Sequence, residues 1–188
     1  MKKLLLVALA MLFPSSAFAD SQPTTINFEQ FPEFTQITNQ YSAEGAVFTN
    51  ALELVAPDYD FFDYPPHFGS GVITNDPNDP IEVNFSPGAG DITGWYSAPD
   101  GMIVAAFDSS DDLLAFFVGA DTNMSNAEFS IYTGTAVVSW IAISAADGAD
   151  SETVDDLTYT ITPEPDSLVL LATGVLGLAG ILRRRFVR

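Results

Sequence analysis

Through most of its length the chain alternates apolar and polar side chains with a period of two, and nowhere does it sustain the spacing of a helical stripe. Ile81, Val83 and Phe85 alternate with Glu82, Asn84 and Ser86, and Leu157, Tyr159 and Ile161 alternate with Thr158 and Thr160. Such runs make strands with one face buried and one in water. The same reading predicts strands over 25–28, 45–49, 52–55, 71–73, 91–96, 102–108, 113–119, 128–132 and 136–144. Turn-forming residues separate them at Asp76 to Pro80, Pro87 to Gly90, Pro99 to Gly101, Ser109 to Asp111 and Asp147-Gly148. About ten short strands without a helix-length pattern between them predict an all-β fold, an antiparallel β-sandwich of jelly-roll type. A doubly wound parallel sheet is excluded, and no fixed period points to a propeller or solenoid.

Charge narrows the chemistry as sharply as periodicity narrows the fold. All six Lys and Arg lie at the two ends of the chain. The 143 residues from Asp20 to Thr162 contain 23 carboxylates, which is the chain's 25 less Glu164 and Asp166, with one His and no basic side chain. This stretch therefore has nothing with which to neutralise phosphates, and nucleic acid is not a partner. Cysteine is absent, so packing or metal ions must supply the stability that disulfides would give.

The ends carry an address. Met1-Lys2-Lys3, an apolar run from Leu4 to Phe13 and the small residues of Ala17-Phe18-Ala19 make residues 1–19 a signal peptide, cut by signal peptidase before Asp20. The run is too short to span a bilayer core of about 30 Å, and Pro14 stops the helix. At the other end Pro163-Glu164-Pro165 precedes sixteen uncharged residues, Ser167 to Leu182, followed by Arg183-Arg184-Arg185. As a transmembrane helix they reach about 24 Å, and the arginines behind them stay cytoplasmic. Both ends place residues 20–162, the β-sandwich domain, outside the inner membrane.

A Pro-Glu-Pro motif, a short Leu/Gly-rich helix and a terminal arginine cluster, in that order over 163–188, resemble the sorting signal of the PEP-CTERM proteins of Gram-negative bacteria. The resemblance implies that Pro163, Glu164, Pro165, Arg183, Arg184 and Arg185 form a tripartite tail recognised by the membrane protease exosortase. It further implies transient anchoring in the inner membrane, then release to the cell surface or an extracellular polysaccharide matrix. The opening Ile26-Asn27-Phe28-Glu29, the stretch ending Gly45-Ala46-Val47-Phe48 and the closing Val154-Asp155-Asp156-Leu157 are similar to exported jelly-roll domains found ahead of this tail. Those domains are similar to carbohydrate-binding modules, in which first and last strands commonly pair.

Composition disposes of several catalytic classes. A Ser-His-Asp site would have to centre on His67, and a Ser-Lys site is impossible in a domain without Lys. A phosphoryl-transfer site lacks its Lys and Arg, and a zinc site with two or more His is excluded. A glycosidase needs only two carboxylates, so it stays open without a nameable pair. The expected function is not enzymatic.

Oxygen-rich clusters without competing cations suit calcium. Asp147, Asp150, Glu152, Asp155 and Asp156 crowd ahead of the last strand, and pairing of first and last strands would bring Glu29 toward them. Glu29, Asp155 and Asp156 are the candidate calcium ligands, with Asn75 to Asp79 and Asp108 to Asp112 as second choices. The same residues also read as a solvated acidic loop. Sugar recognition needs exposed aromatic faces beside polar groups. The proline-bounded stretch Pro57 to Phe68 interleaves aromatics with acids, which makes Tyr59, Phe61, Phe62 and Tyr64 the candidate sugar-binding residues. Its rings would serve equally as a cover over one end of the core. By alternation only one of Trp95 and Tyr96 is exposed, and His67 is expected to be a loop residue. The composite expectation is an exported carbohydrate-binding or exopolysaccharide-associated protein. The alternatives are a calcium-binding structural or adhesive matrix component and a two-carboxylate glycoside hydrolase.

Overall fold

In the computed structural model the described residues are 22–58, 60–75, 79–122, 124–146, 152–162 and 174. The expected signal peptide, Tyr59, Asp76 to Asn78, Asp147, Asp150 and, Gly174 apart, the expected sorting tail fall outside them. The strands among the described residues are Pro23–Ile26 (β1), Gln36–Ile37 (β2), Ala46–Thr49 (β3), Ala51–Val55 (β4), Gly71–Asn75 (β5), Ile81–Ser97 (β6), Met102–Phe107 (β7), Leu113–Gly119 (β8), Ala127–Ile131 (β9), Val138–Ala145 (β10) and Thr153–Ile161 (β11). Every pairing is antiparallel.

The fold turns on β6, which has seventeen residues and two sets of partners. Its first half lies between β3 and β10, and β10 leads on through β7 to β8. Its second half lies between β9 and β11. Strand β11 also holds β1 and β5, and β5 leads on through β4 to β2. One strand thus serves both layers of an antiparallel sandwich. First and last strands pair, with Ile26 opposite Leu157 and Thr24 opposite Tyr159.

The inward faces meet in one core. Ile81, Val83, Val104, Ile141 and Ile143 from one layer face Ile92, Phe129, Val154, Leu157 and Tyr159 from the other, all fully buried. Phe85 meets Tyr159 with ring centroids 4.8 Å apart, and Phe117 meets Phe129 at 6.2 Å. At one end Phe28, Tyr41 and Phe48 pack edge-on within 5.9 Å of one another. Non-parallel ring pairs of this kind suit the aromatic quadrupole.

The expected turn at Pro87 to Gly90 does not form; β6 runs through it. Proline has no N–H for a ladder, yet Pro87 stands where β6 has left β3 at the Ala46–Phe85 pair and is about to meet β11 at Ala89. A proline there sacrifices no pairing, and the signal that reads as a turn is a strand changing layers. The last strand is also longer than its alternation predicts. Its register shifts between Asp155 and Thr158, and Asp156 has a positive φ of 47°. This bulge lets Val154 and Leu157 both face the core although they are three apart, leaving Asp155 and Asp156 between them.

Leu157→Ala should lower unfolding free energy by about 2–5 kcal/mol in urea titrations, because it opens a cavity at a fully buried position. Leu113→Ala, on an exposed side chain, should change it by no more than about 0.5 kcal/mol.

Candidate functional site

The Pro57 to Phe68 stretch and the candidate metal ligands, far apart in sequence, meet at one end of the sandwich. The stretch leaves β4 and returns to β5, so its two ends are neighbours in a sheet: Val55 pairs with Gly71, and the Ala56 N–H donates to the Ser70 carbonyl at 2.8 Å. Its return limb has no strand partner and must satisfy its amides otherwise. Carboxylates do this. Asp155 Oδ2 accepts the N–H groups of His67 and Phe68, each at 2.9 Å. Glu29 Oε1 accepts those of Ser70 and Gly71, each at 2.8 Å, and Glu29 Oε2 accepts the Ser70 hydroxyl at 3.2 Å.

Two further contacts fix the limb. The Pro65 carbonyl accepts from Ser97 Oγ at 3.1 Å and Asn126 Nδ2 at 2.5 Å. The His67 ring lies flat on Trp95, with centroids 3.8 Å apart and planes 5° from parallel. His67 Nδ1 meets Asp156 Oδ2 at 2.7 Å. As expected, His67 is a loop residue, and of Trp95 and Tyr96 it is Tyr96 that is buried.

Of the candidate sugar-binding residues, Phe61 and Phe62 stack at 4.3 Å with planes 28° apart. Phe62 is 68% exposed, while Phe61 and Tyr64 are half-buried. Tyr59 lies outside the described residues. Phe68 at 64% and Phe34 at 68% add two exposed rings at the same end. The loop carrying Phe34 follows β4, for the Phe34 N–H donates to the Glu53 carbonyl at 2.8 Å. Beside it, Glu33 is pushed above the usual carboxylate range by partial burial and by the charge and hydrogen bond of Asp58, which ties the two loops together.

The candidate calcium ligands all hold parts of the arm: Asp155 accepts backbone amides, Asp156 meets His67, and Glu29 accepts two amides on Oε1 while its Oε2 takes the Ser70 hydroxyl alone. Among the described residues, no three His, Asp or Glu side chains converge as a ready metal-ligand set. The second-choice Asp108 closes its own turn, accepting the N–H groups of Ser110 and Asp112.

One acid at this end escapes sequence reasoning. In Ala51-Leu52-Glu53-Leu54-Val55 the leucines look like the inward face, yet Ala51 and Glu53 are buried and the leucines are half-buried. Glu53 is 0% exposed, and neither carboxylate oxygen has a hydrogen-bond partner. Burial, then the charges of Glu29 and Asp155, push its pKa up to about 8. Asp155 is raised to about 6, chiefly by burial, against the lowering effect of the amides it accepts.

Both shifts favour the protonated carboxyl in the folded state. The folded protein then binds more protons than the unfolded chain, so stability falls as pH rises through each interval. For Asp155 the interval runs from the ordinary Asp value to about 6, and for Glu53 from the ordinary Glu value to about 8. Melting temperatures of the full chain in EDTA should decline from pH 5 to pH 8. Glu53→Gln should flatten the decline between pH 7 and 8, above the interval in which Asp155 titrates.

Comparison with known proteins bears on the tail and on the general shape. A family model described as the PEP-CTERM protein-sorting motif matches residues 162–185. No curated protein matches the chain. Among solved structures, a point mutant of the family 29 carbohydrate-binding module CBM29-2 is similar at 10% identity and a TM-score of 0.44, over 74% of this chain and 92% of that one. A tandem of family 22 modules from Paenibacillus barcinonensis Xyn10C is similar at 11% identity and a TM-score of 0.46, over 81% of this chain and 48% of that one. The C-terminal family 6 module of LamC from Zobellia galactanivorans is similar at 10% identity and a TM-score of 0.39, over 74% of this chain and 99% of that one. Among the described residues no helix is long and apolar enough to cross a membrane, and all of the 167–182 segment but Gly174 lies outside them. The chain thus joins an antiparallel all-β domain to a PEP-CTERM protein-sorting motif.

Proposed function

We propose that this is an exported, exosortase-processed protein of the cell surface or extracellular matrix, whose β-sandwich associates with extracellular polysaccharide without catalysing its turnover. The sorting motif supports the destination. The observation that carries the binding reading is the pinned aromatic arm: Phe62 and Phe68 stand in water on a segment whose backbone is fixed by Asp155, Glu29, Ser97 and Asn126.

A pyranose ring offers a flat patch of C–H groups edged by hydroxyls. Exposed rings cover the patch, and adjacent carboxylates accept the hydroxyls. Fixing the backbone beforehand removes part of the ordering entropy that a mobile loop would lose on binding. The absence of cationic side chains from 20–162 favours neutral polysaccharides over polyuronates or sulfated chains, which would meet like charge.

Two outcomes test this. Phe62→Ala with Phe68→Ala should reduce retention on neutral polysaccharide by about tenfold, equivalent to about 1.4 kcal/mol, with the melting temperature unchanged because both rings are exposed. Retention at the level of the unmodified chain would remove the arm from the binding surface. Mass spectrometry of the secreted protein should find a mature N-terminus at Asp20 and loss of the segment after Pro163. A secreted protein with its tail intact would contradict exosortase processing.

A further inference from the structure

Glu53 is the polar group that nothing described so far explains. A fully buried carboxylate with two unpartnered oxygens is unstable unless a proton or a cation attends it. No Lys or Arg is available, since the domain has none. Several oxygen atoms lie near it. Gly71 is glycine because a β-carbon there would collide with the Phe28 carbonyl oxygen and come within 3.0 Å of Glu53 Oε1. Those two oxygens are therefore no farther apart than opposite ligands on one calcium ion, about 5 Å. Glu29 Oε1 lies 2.8 Å from the Gly71 nitrogen on the same short stretch of backbone. The Tyr41 hydroxyl is buried without a partner, and Glu53 and Glu29 both bear on it electrostatically.

We infer that the orphaned Glu53 carboxylate is the centre of a calcium site, completed by Glu29, the Phe28 carbonyl and the Tyr41 hydroxyl. Every donor is oxygen, which is the preference of a hard cation. Calcium fits better than magnesium because Glu53, Phe28 and Tyr41 are buried, and magnesium gives up its water shell reluctantly. Two carboxylates balance the charge of one ion, so the site does not require Asp155 or Asp156, which remain bonded to the arm. The ion would join the loop after β1, strand β4 and the start of β5, the elements from which the aromatic arm springs.

Thermal unfolding of the full chain in mild detergent, with EDTA or with millimolar calcium, tests this using the metal alone. Magnesium and sodium chloride at matched ionic strength are the controls. Calcium should raise the melting temperature by about 5 °C, well beyond either control. Glu53→Gln keeps the side-chain shape and should abolish the calcium-specific rise. Tyr41→Phe removes only the hydroxyl and should increase the calcium concentration giving half the rise by about tenfold. Glu82→Gln, on the outward face of β6, should leave the response intact. A rise equal in all three salts would be charge screening and would overturn the site. So would a calcium-specific rise that survives in Glu53→Gln. Glycan retention by the arm is read separately, so failure of one proposal is distinguishable from failure of the other.

Discussion

Residues 20–162 must accommodate 23 carboxylates without one Lys or Arg. Water serves those at the surface, but acids drawn inside need another source of positive potential. In most folds a guanidinium or ammonium supplies it; here backbone amides do. Asp155 takes two amides of the aromatic arm and Glu29 takes two more just beyond it. Ionised acceptors make stronger hydrogen bonds than neutral ones, so each acid fixes chain that no strand pairs with. The shortage of cations and the order of the arm are two aspects of one solution.

The sandwich delivers those acids to the right place. By running through both layers, β6 gives β11 a long partner, and the β11 bulge presents Asp155 and Asp156 outside the core while Val154 and Leu157 stay within it. Pairing of β1 with β11 brings the chain just ahead of Glu29 to the same sheet. Trp95, opposite Asp155 on β6, provides the flat surface on which His67 rests. The arm is held by strand register at several points, and its tip residues are left to face water.

Much of this was legible in the sequence, and the exceptions have physical causes. Alternation located most of the strands, as Ala127–Ile131 shows by falling within one residue of its predicted limits. It failed at Pro87, where a turn signal marks a change of layer, and at Glu53, where flanking leucines point the pattern the wrong way. Glu29 and Asp155 were legible as a pair because first and last strands meet, but their amide partners were not, since those depend on how the arm returns. Phe34 was missed because its loop approaches the arm only through β4. Glu53 carried no signal: a buried acid is recognised by what surrounds it, and its neighbours come from four separated segments.

Carboxylates holding the return limb of the arm are what orders this end of the sandwich, and residue-resolved amide hydrogen exchange measures that directly. The amides of His67, Phe68, Ser70 and Gly71 should be protected nearly as well as those of the rest of β5. In Asp155→Ala, protection at His67 and Phe68 should be lost selectively. If those four amides exchange in the unmodified chain as fast as exposed loop amides, the carboxylates do not hold the arm and the account is wrong.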